Sequence, residues 1–210
     1  MADMSFYEDH ILPHVVTAAC GCGQIMKKRS EIVPDATGAV LEIGSGAGPN
    51  LQFYDPERVT KLYALEPSAG MRRKAASAVV SAPVPVEVLD APGEAVPLDS
   101  ASIDTVVLTF TACTIPDVRA ALSEAVRVLK PGGQVLFAEH GASPDAGIAR
   151  WQGRIEPVWK VLAGGCHLTR RPDALLQGAG LVIEQMETGY IPRTPKIAGF
   201  VYAGRALRPA

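Results

Sequence analysis

The chain has 210 residues, with 20 Lys and Arg against 22 Asp and Glu and a hydrophobic content of 48%. A domain of this length buries roughly 70% of the surface its unfolded chain exposes, so it is not a disordered chain and needs no disulfide or metal staple to close a core. The formal charge of −2 supplies no basic field, which argues against nucleic acid as the main partner and for a small molecule.

Residues 1–38 read as an N-terminal helical lid segment and residues 39–210 as the main body of what is one domain overall. In the lid, Phe6, Tyr7, Ile11 and Leu12 are expected to pack on the sheet, and the triplet Lys27-Lys28-Arg29 is expected to be solvated. His10 and His14 stand four apart, with Cys20 and Cys22 after them, but Pro13 perturbs the helix between the histidines. A C-x-C pair is also not the spacing of ordinary structural zinc sites, so no metal is expected there. The uncharged stretch from Ile11 to Met26 contains Pro13 and falls short of the roughly 18 apolar residues of a spanning helix, so no transmembrane segment is expected. The four cysteines, Cys20, Cys22, Cys113 and Cys166, do not form a secreted disulfide pattern and no signal sequence precedes them. A reducing cytoplasm is the expected setting.

Short apolar runs then recur at Ala39–Ile43, Lys61–Leu65, Val84–Leu89, Thr105–Thr109 and Gln134–Ala138, and these predict strands. Between them lie helical patterns. The clearest is Val118, Ala121, Leu122, Ala125, Val126 and Leu129, stopped by Lys130-Pro131-Gly132-Gly133. The last two runs, Leu181–Thr188 and Ala198–Gly204, are joined by a loop too short for a crossover helix and are expected to pair antiparallel. The fold class is therefore α/β: a Rossmann-like, doubly wound, seven-stranded mixed sheet with its last strand antiparallel and helices on both faces. Ligands of such sheets bind at the carboxyl ends of the strands, near the switch in strand order.

The first strand runs straight into Gly44-Ser45-Gly46-Ala47-Gly48-Pro49-Asn50. Glycines at 44, 46 and 48 permit close approach of a ligand to the main chain. A dinucleotide fingerprint would need its third glycine at position 49, which is Pro49, and Glu42 places a carboxylate next to the loop where a pyrophosphate would sit. That carboxylate prefers a cation, and S-adenosylmethionine offers an amine and a sulfonium with no phosphate. Glu66 ends the second strand, where a nucleoside-binding sheet needs an acceptor for ribose hydroxyls. The loop Asp90–Leu98 lies at the same end of the sheet and is expected to flank an adenine.

At these residues the chain resembles class I S-adenosylmethionine-dependent methyltransferases, over about residues 6–205. The matching segments are Glu42–Gly48, Glu66-Pro67, Gly93-Glu94 through Pro97, Ile103–Val107 and Arg127–Gly133. The resemblance implies that Glu42 and Gly44 face the methionine portion of the cofactor, Glu66 the ribose, the Gly93-Glu94 loop the adenine, and Thr109 the cofactor from the fourth strand. Gly46, Gly48, Asn50, Pro67 and Met71 are the other cofactor-binding positions it implies. Many relatives carry an acid-small pair before the position of Glu94, where this chain has Pro92-Gly93, so the adenine contact is left to backbone or to Asp90. A tighter similarity, carried by Asn50–Tyr54, Thr109–Ile115, Glu139-His140 and Trp159–Arg170, is to a small group that includes thiol methyltransferases. Members of that neighbourhood also act on lipid and quinone-like acceptors, so a small-molecule thiol, a lipid amine, a quinone-like compound and non-catalytic cofactor binding all stay open. Methyltransferases that act on exocyclic base amines usually show an Asp/Asn-Pro-Pro-aromatic motif after the fourth strand. This chain has Thr109-Phe110-Thr111-Ala112 there, so nucleic acid is not the expected substrate.

Methyl transfer is an in-line displacement in which alignment supplies most of the acceleration, so a catalytic base is useful rather than obligatory. A thiol acceptor needs help toward its thiolate, and His140 and His167 are the candidate catalytic residues, with Arg170 nearby in sequence. Cys113 and Cys166 are expected to be small packing residues.

Overall fold

The computed structural model describes residues 21–210. Helix α1 (Gly23–Ile32) leads into β1 (Gly38–Ile43), β2 (Val59–Leu65), α2 (Ala69–Val80), β3 (Val86–Leu89) and β4 (Ile103–Thr109). Helix α3 (Val118–Val128), β5 (Leu129–His140), α4 (Ala146–Leu162), α5 (Pro172–Gly178), β6 (Val182–Tyr190) and β7 (Phe200–Leu207) complete the chain. The seven strands form one sheet in the order β3-β2-β1-β4-β5-β7-β6. Strands β1 to β5 run parallel to one another, and β7 lies antiparallel between β5 and β6. The α/β mixed sheet expected from the sequence is thus the one observed. Among the described residues, no helix is long and apolar enough to cross a membrane.

Strand periodicity divides the core into two layers, because successive side chains point to opposite faces. Leu41, Ile43, Val106, Leu108 and Phe137 meet Ala121, Leu122 and Ala125 of α3 and Leu176 of α5 on one face. Val40, Leu62, Val107 and Leu136 meet Val33, Leu51 and Tyr54 on the other. Each such Leu or Val, fully removed from water, contributes roughly 1.5–3 kcal/mol. Helix α3 forms because its apolar positions step by three and four toward the sheet, and because the Asp117 carboxylate accepts the Ala120 N–H at its start.

Three boundaries differ from the sequence pattern. Helix α3 ends at Val128, directly before the expected stop, but Leu129 already has extended angles and Lys130-Pro131-Gly132-Gly133 lies inside β5. Pairing explains this: the Gly132 N–H donates to Arg208 O, the Arg208 N–H donates to Gly133 O, and Gly132 takes a positive φ at an irregularity in the ladder. Strand β3 begins at Val86, after Pro85, which has no N–H to give a ladder. The final pair is shifted toward the C-terminus, to Val182–Tyr190 and Phe200–Leu207.

The order of strands reverses between β1 and β4, which are adjacent and in register from Val40↔Thr105 to Ile43↔Leu108. Their carboxyl ends, with that of β2, open on one edge of the sheet. This is where a doubly wound sheet leaves a crevice.

Candidate active site

A cleft of about 540 Å³ lies at that edge, within the range of small-molecule sites. Its walls come from the ends of β1 (Ile43, Gly44) and β2 (Leu65 to Pro67), the loop Pro92–Glu94, and the segment Thr111–Pro116 after β4. Of the positions the resemblance implied, Gly44, Glu66, Pro67, Gly93 and Glu94 line this cleft.

The glycine loop is shaped by close contacts. Gly44 has φ +69, and a Cβ there would overlap the Thr111 hydroxyl, so only glycine lets the β1 and β4 loops touch. Gly46 has φ +57 and lies against the end of the Met71 side chain, while a Cβ on Gly48 would press on Leu51. The Gly46 N–H donates to Glu66 Oε2 and the Ser68 N–H to Glu66 Oε1, each at 2.9 Å. Both carboxylate oxygens are thereby fixed at the cleft wall, and each keeps a lone pair for a further donor. Burial raises the Glu66 carboxyl above its ordinary range, against the pull of those two N–H groups.

Glu42, Asn50 and Thr109 are placed differently from the expectation. They lie on the opposite face of the sheet from Ile43 and do not line the cleft. The Asn50 amide donates to Glu42 Oε1 and to Thr109 Oγ1, both at 2.9 Å, and the Tyr54 hydroxyl donates to Glu42 Oε2 at 2.8 Å. Burial lifts the Glu42 carboxyl to about 7 in spite of the Tyr54 bond and the nearby Arg29 charge. That charge is itself a correction. Lys27 is exposed and Lys28 half-buried, but Arg29 is only 4% exposed. Its Nη1 donates to Asn50 Oδ1 at 3.0 Å and to Thr109 Oγ1 at 2.6 Å, and its guanidinium lies 5.3 Å from the Phe110 ring centroid. A buried polar knot under the glycine loop thus ties α1 to β1 and β4. Phe6, Tyr7, Ile11, Leu12, His10, His14 and Cys20 fall outside the described residues.

The other wall, Thr111–Pro116, is clamped from behind. Glu139 Oε1 accepts the Thr111 and Ala112 N–H groups at 2.8 and 3.0 Å. Arg170 Nη1 donates to the carbonyls of Ala112 and Ile115, and its Nη2 to that of Pro116. Arg72 holds the Asp90 carboxylate in a two-pronged pair at 2.6 Å, and Asp90 is not among the residues that line the cleft. This leaves the Pro92–Glu94 backbone facing the cleft. The Glu94 side chain accepts the Asp117 N–H at 3.1 Å.

His140 and His167 do not line the cleft; they stand behind the Thr111–Pro116 wall. His140 Nε2 is 3.1 Å from Cys166 Sγ, and the His167 N–H donates to Cys113 O at 2.9 Å. His167 Nδ1 is 3.2 Å from Glu156 Oε1, whose partner oxygen accepts both the N–H and hydroxyl of Thr169. Hydrogen bonding from Cys113 and then His140 holds the Cys166 thiol down to about 4. Arg29, Tyr54, Thr111 and Glu139 were not singled out as site residues by the sequence. The single available signal was the acid of Glu139 directly before His140.

Among the described residues that line the cleft are two carboxylates, Glu66 and Glu94, and no Lys, Arg or His. A diphosphate placed here would meet negative charge with no cation to offset it, whereas a cationic, phosphate-free nucleoside is favoured. A Rossmann-like sheet with an antiparallel seventh strand, opening on a cleft of this charge, is the architecture of the class I methyltransferases. Comparison with known proteins agrees. Residues 41–137 match the methyltransferase domain family. The chain is 37% identical over 171 residues to human thiol S-methyltransferase TMT1B, covering 77% of this chain and 69% of that protein. It is 37% identical over 169 residues to the Rattus norvegicus protein of the same name, covering 76% and 68%. Among solved structures, a SAM-dependent methyltransferase from Thermotoga maritima superposes with a TM-score of 0.65 at 20% identity, covering 97% of this chain and 98% of that one. Another from Leishmania major gives 0.68 at 18% identity, covering 96% and 80%. The chain therefore belongs to the S-adenosylmethionine-dependent methyltransferase family that includes the thiol S-methyltransferases.

Proposed function

We propose that this chain binds S-adenosylmethionine in the cleft between β1, β2 and β4 and transfers its methyl group to the thiol of a small molecule. The observation that carries the reading is the cleft itself: among the described residues it has two fixed carboxylates, a glycine floor and no cation. When bound, the cofactor supplies a methyl carbon already activated by positive sulfur. Everything else falls to the protein's own residues. Glu66, held by Gly46 and Ser68, offers one lone pair per oxygen to the two ribose hydroxyls. The backbone of Pro92–Glu94 borders the adenine, and Gly44 lets the methionine portion approach the main chain. Glu42 is a positioning residue, since it acts through Asn50 and Tyr54 on the loop rather than on the ligand. Glu139 and Arg170 fix the wall from which an acceptor would be aligned, and alignment is the main requirement of an in-line displacement.

The thiol comes from the likeness to proteins named thiol S-methyltransferase and from the sulfur- and imidazole-bearing groups behind the acceptor wall. A reduced thiol substrate also suits the reducing, cytoplasmic setting read from the cysteines. The test is incubation of the purified chain with methyl-labelled S-adenosylmethionine and a panel of alkyl and aryl thiols. Labelled thioether is expected, and Glu66→Ala is expected to raise the cofactor KM about tenfold or more, the loss of a hydrogen bond to a charged group. Label that reaches no thiol rejects this acceptor class.

A further inference from the structure

Three side chains from separate parts of the chain converge behind the Thr111–Pro116 wall. Cys113 comes from the loop after β4, His140 from the end of β5, and Cys166 from the turn between α4 and α5. Cys113 Sγ, Cys166 Sγ and a ring nitrogen of His140 all lie within 4.8 Å of one another. Both cysteines are buried, at 5% and 8% exposure, and both are thiols. His140 Nδ1 is buried without a hydrogen-bond partner among the described residues, so Nε2, directed at Cys166 Sγ, is this imidazole's one polar contact.

Two sulfurs and an imidazole nitrogen thus stand close enough together to share one ion. A tetrahedral zinc ion with bonds of about 2.3 Å to sulfur and about 2.0 Å to nitrogen needs its ligand atoms about 3.6–3.8 Å apart. The His140–Cys166 contact of 3.1 Å would open by about half an ångström to reach that spacing, and all three ligand atoms already lie within 4.8 Å of one another. Two thiolates neutralise the charge of a divalent ion. Soft thiolate ligands with one imidazole select zinc over magnesium or calcium. A disulfide between the cysteines would instead leave His140 Nε2 buried without a partner.

We propose that Cys113, His140 and Cys166 form a zinc site of the Cys2His type, whose open fourth position takes the acceptor thiolate. Three protein ligands with one open position is the composition of reactive rather than structural zinc sites. Cys113 lies between Thr111 and Thr114, which line the cofactor cleft, so a zinc ion held there would turn its fourth position toward that wall. This rests on the methyltransferase reading above. The acceptor thiol would lose its proton to solvent as its sulfur bonds to zinc. A sulfur lone pair would then form the new bond to the methyl carbon as the carbon–sulfonium bond breaks, its electron pair returning to the cofactor sulfur. The neutral thioether is a poor zinc ligand and leaves.

The test uses the full chain, stripped with a chelator under a phosphine reductant and titrated anaerobically with cobalt(II). One equivalent is expected to give a near-ultraviolet sulfur-to-cobalt band and the intense visible bands of a tetrahedral ion. Cys113→Ser and Cys166→Ser should each cut the sulfur band by about half and weaken zinc binding at least about tenfold, while a Cys20→Ser/Cys22→Ser variant keeps both. Saturating 2-mercaptoethanol should shift the visible bands of the wild-type complex, a readout that needs no variant to fold. The proposal is overturned by an absent sulfur band, by a band that follows Cys20 and Cys22, or by a spectrum indifferent to thiol. Methyl transfer to thiols by a chain that binds no cobalt also overturns it, while leaving the enzyme reading in place. A thiol-responsive cobalt spectrum with no methyl transfer to any thiol supports the site and removes the enzyme reading.

Discussion

Glu42 shows what can and cannot be read from one residue. An acid at the end of a strand, two positions before a glycine, was visible at once; the face it points to was not. Strand β1 is buried on both sides, so alternation separates Glu42 from Ile43 without saying which face carries the cleft. Arg29 was hidden for a different reason: it sits in a run of three cations that looks like surface, and its partners Asn50 and Thr109 lie far along the chain. The buried environment of Glu42 has a measurable consequence. Its carboxyl is raised from 4.5 to about 7 by burial, so between those values the folded chain holds a proton that the unfolded chain has released. Folding stability therefore falls as pH rises through this window and levels off above about 7, by about 3 kcal/mol from this group. Glu42→Gln keeps the size and an acceptor but cannot ionise. Urea denaturation at about pH 5 and about pH 8 is expected to show the wild type losing most of that amount relative to the variant. A pH-independent difference between the two proteins would contradict a neutral, buried Glu42.

At the level of elements, the strand-to-glycine junction and the amphipathic helix α3 were legible because their signals are local: a run ending in glycines, and apolar steps of three and four. The start of β5 was not, since Lys130-Pro131-Gly132-Gly133 carries a helix-stop signal and becomes strand through pairing with β4 and with Arg208, both distant in sequence. Two glycines of these elements make a matched experiment. Gly44 and Gly132 have φ of +69 and +76, so alanine at either strains the backbone by about 1–2 kcal/mol. A Cβ on Gly132 meets nothing within 4 Å, while one on Gly44 overlaps Thr111 and enters the cleft floor. Gly132→Ala is thus expected to lower stability modestly and leave S-adenosylhomocysteine affinity unchanged. Gly44→Ala should cost more stability and weaken that affinity at least about tenfold, which is 1.4 kcal/mol. Calorimetric titration of both variants checks it, and equal affinities would mean that Gly44 does not border the ligand.

For the whole molecule, the alternation of strands and helices was enough to expect five parallel strands and a reversal of order, and the short final connection was enough for the antiparallel pair. What no local signal carried was the convergence at one edge of the sheet: Gly44 against Thr111, Glu66 against Gly46, and Arg170 against Ala112, each joining segments distant in sequence. That convergence means the cleft exists only when the sheet is assembled, so a ligand of the cleft binds the folded chain and not the unfolded one. Mass action then fixes the size of the effect. At a concentration of about 100 times Kd, S-adenosylhomocysteine should add about 2.7 kcal/mol to folding stability. In a chain of this length each kcal/mol moves the unfolding midpoint by roughly 2–4 °C, so Tm should rise by roughly 5–10 °C. A nicotinamide dinucleotide at equal concentration should leave Tm in place, because Glu66 and Glu94 face its diphosphate with no cation among the described residues of the cleft to offset them. Thermal unfolding followed by circular dichroism with each ligand separates the two cases. A shift with the dinucleotide and none with S-adenosylhomocysteine would mean that the charge of the cleft does not select its ligand.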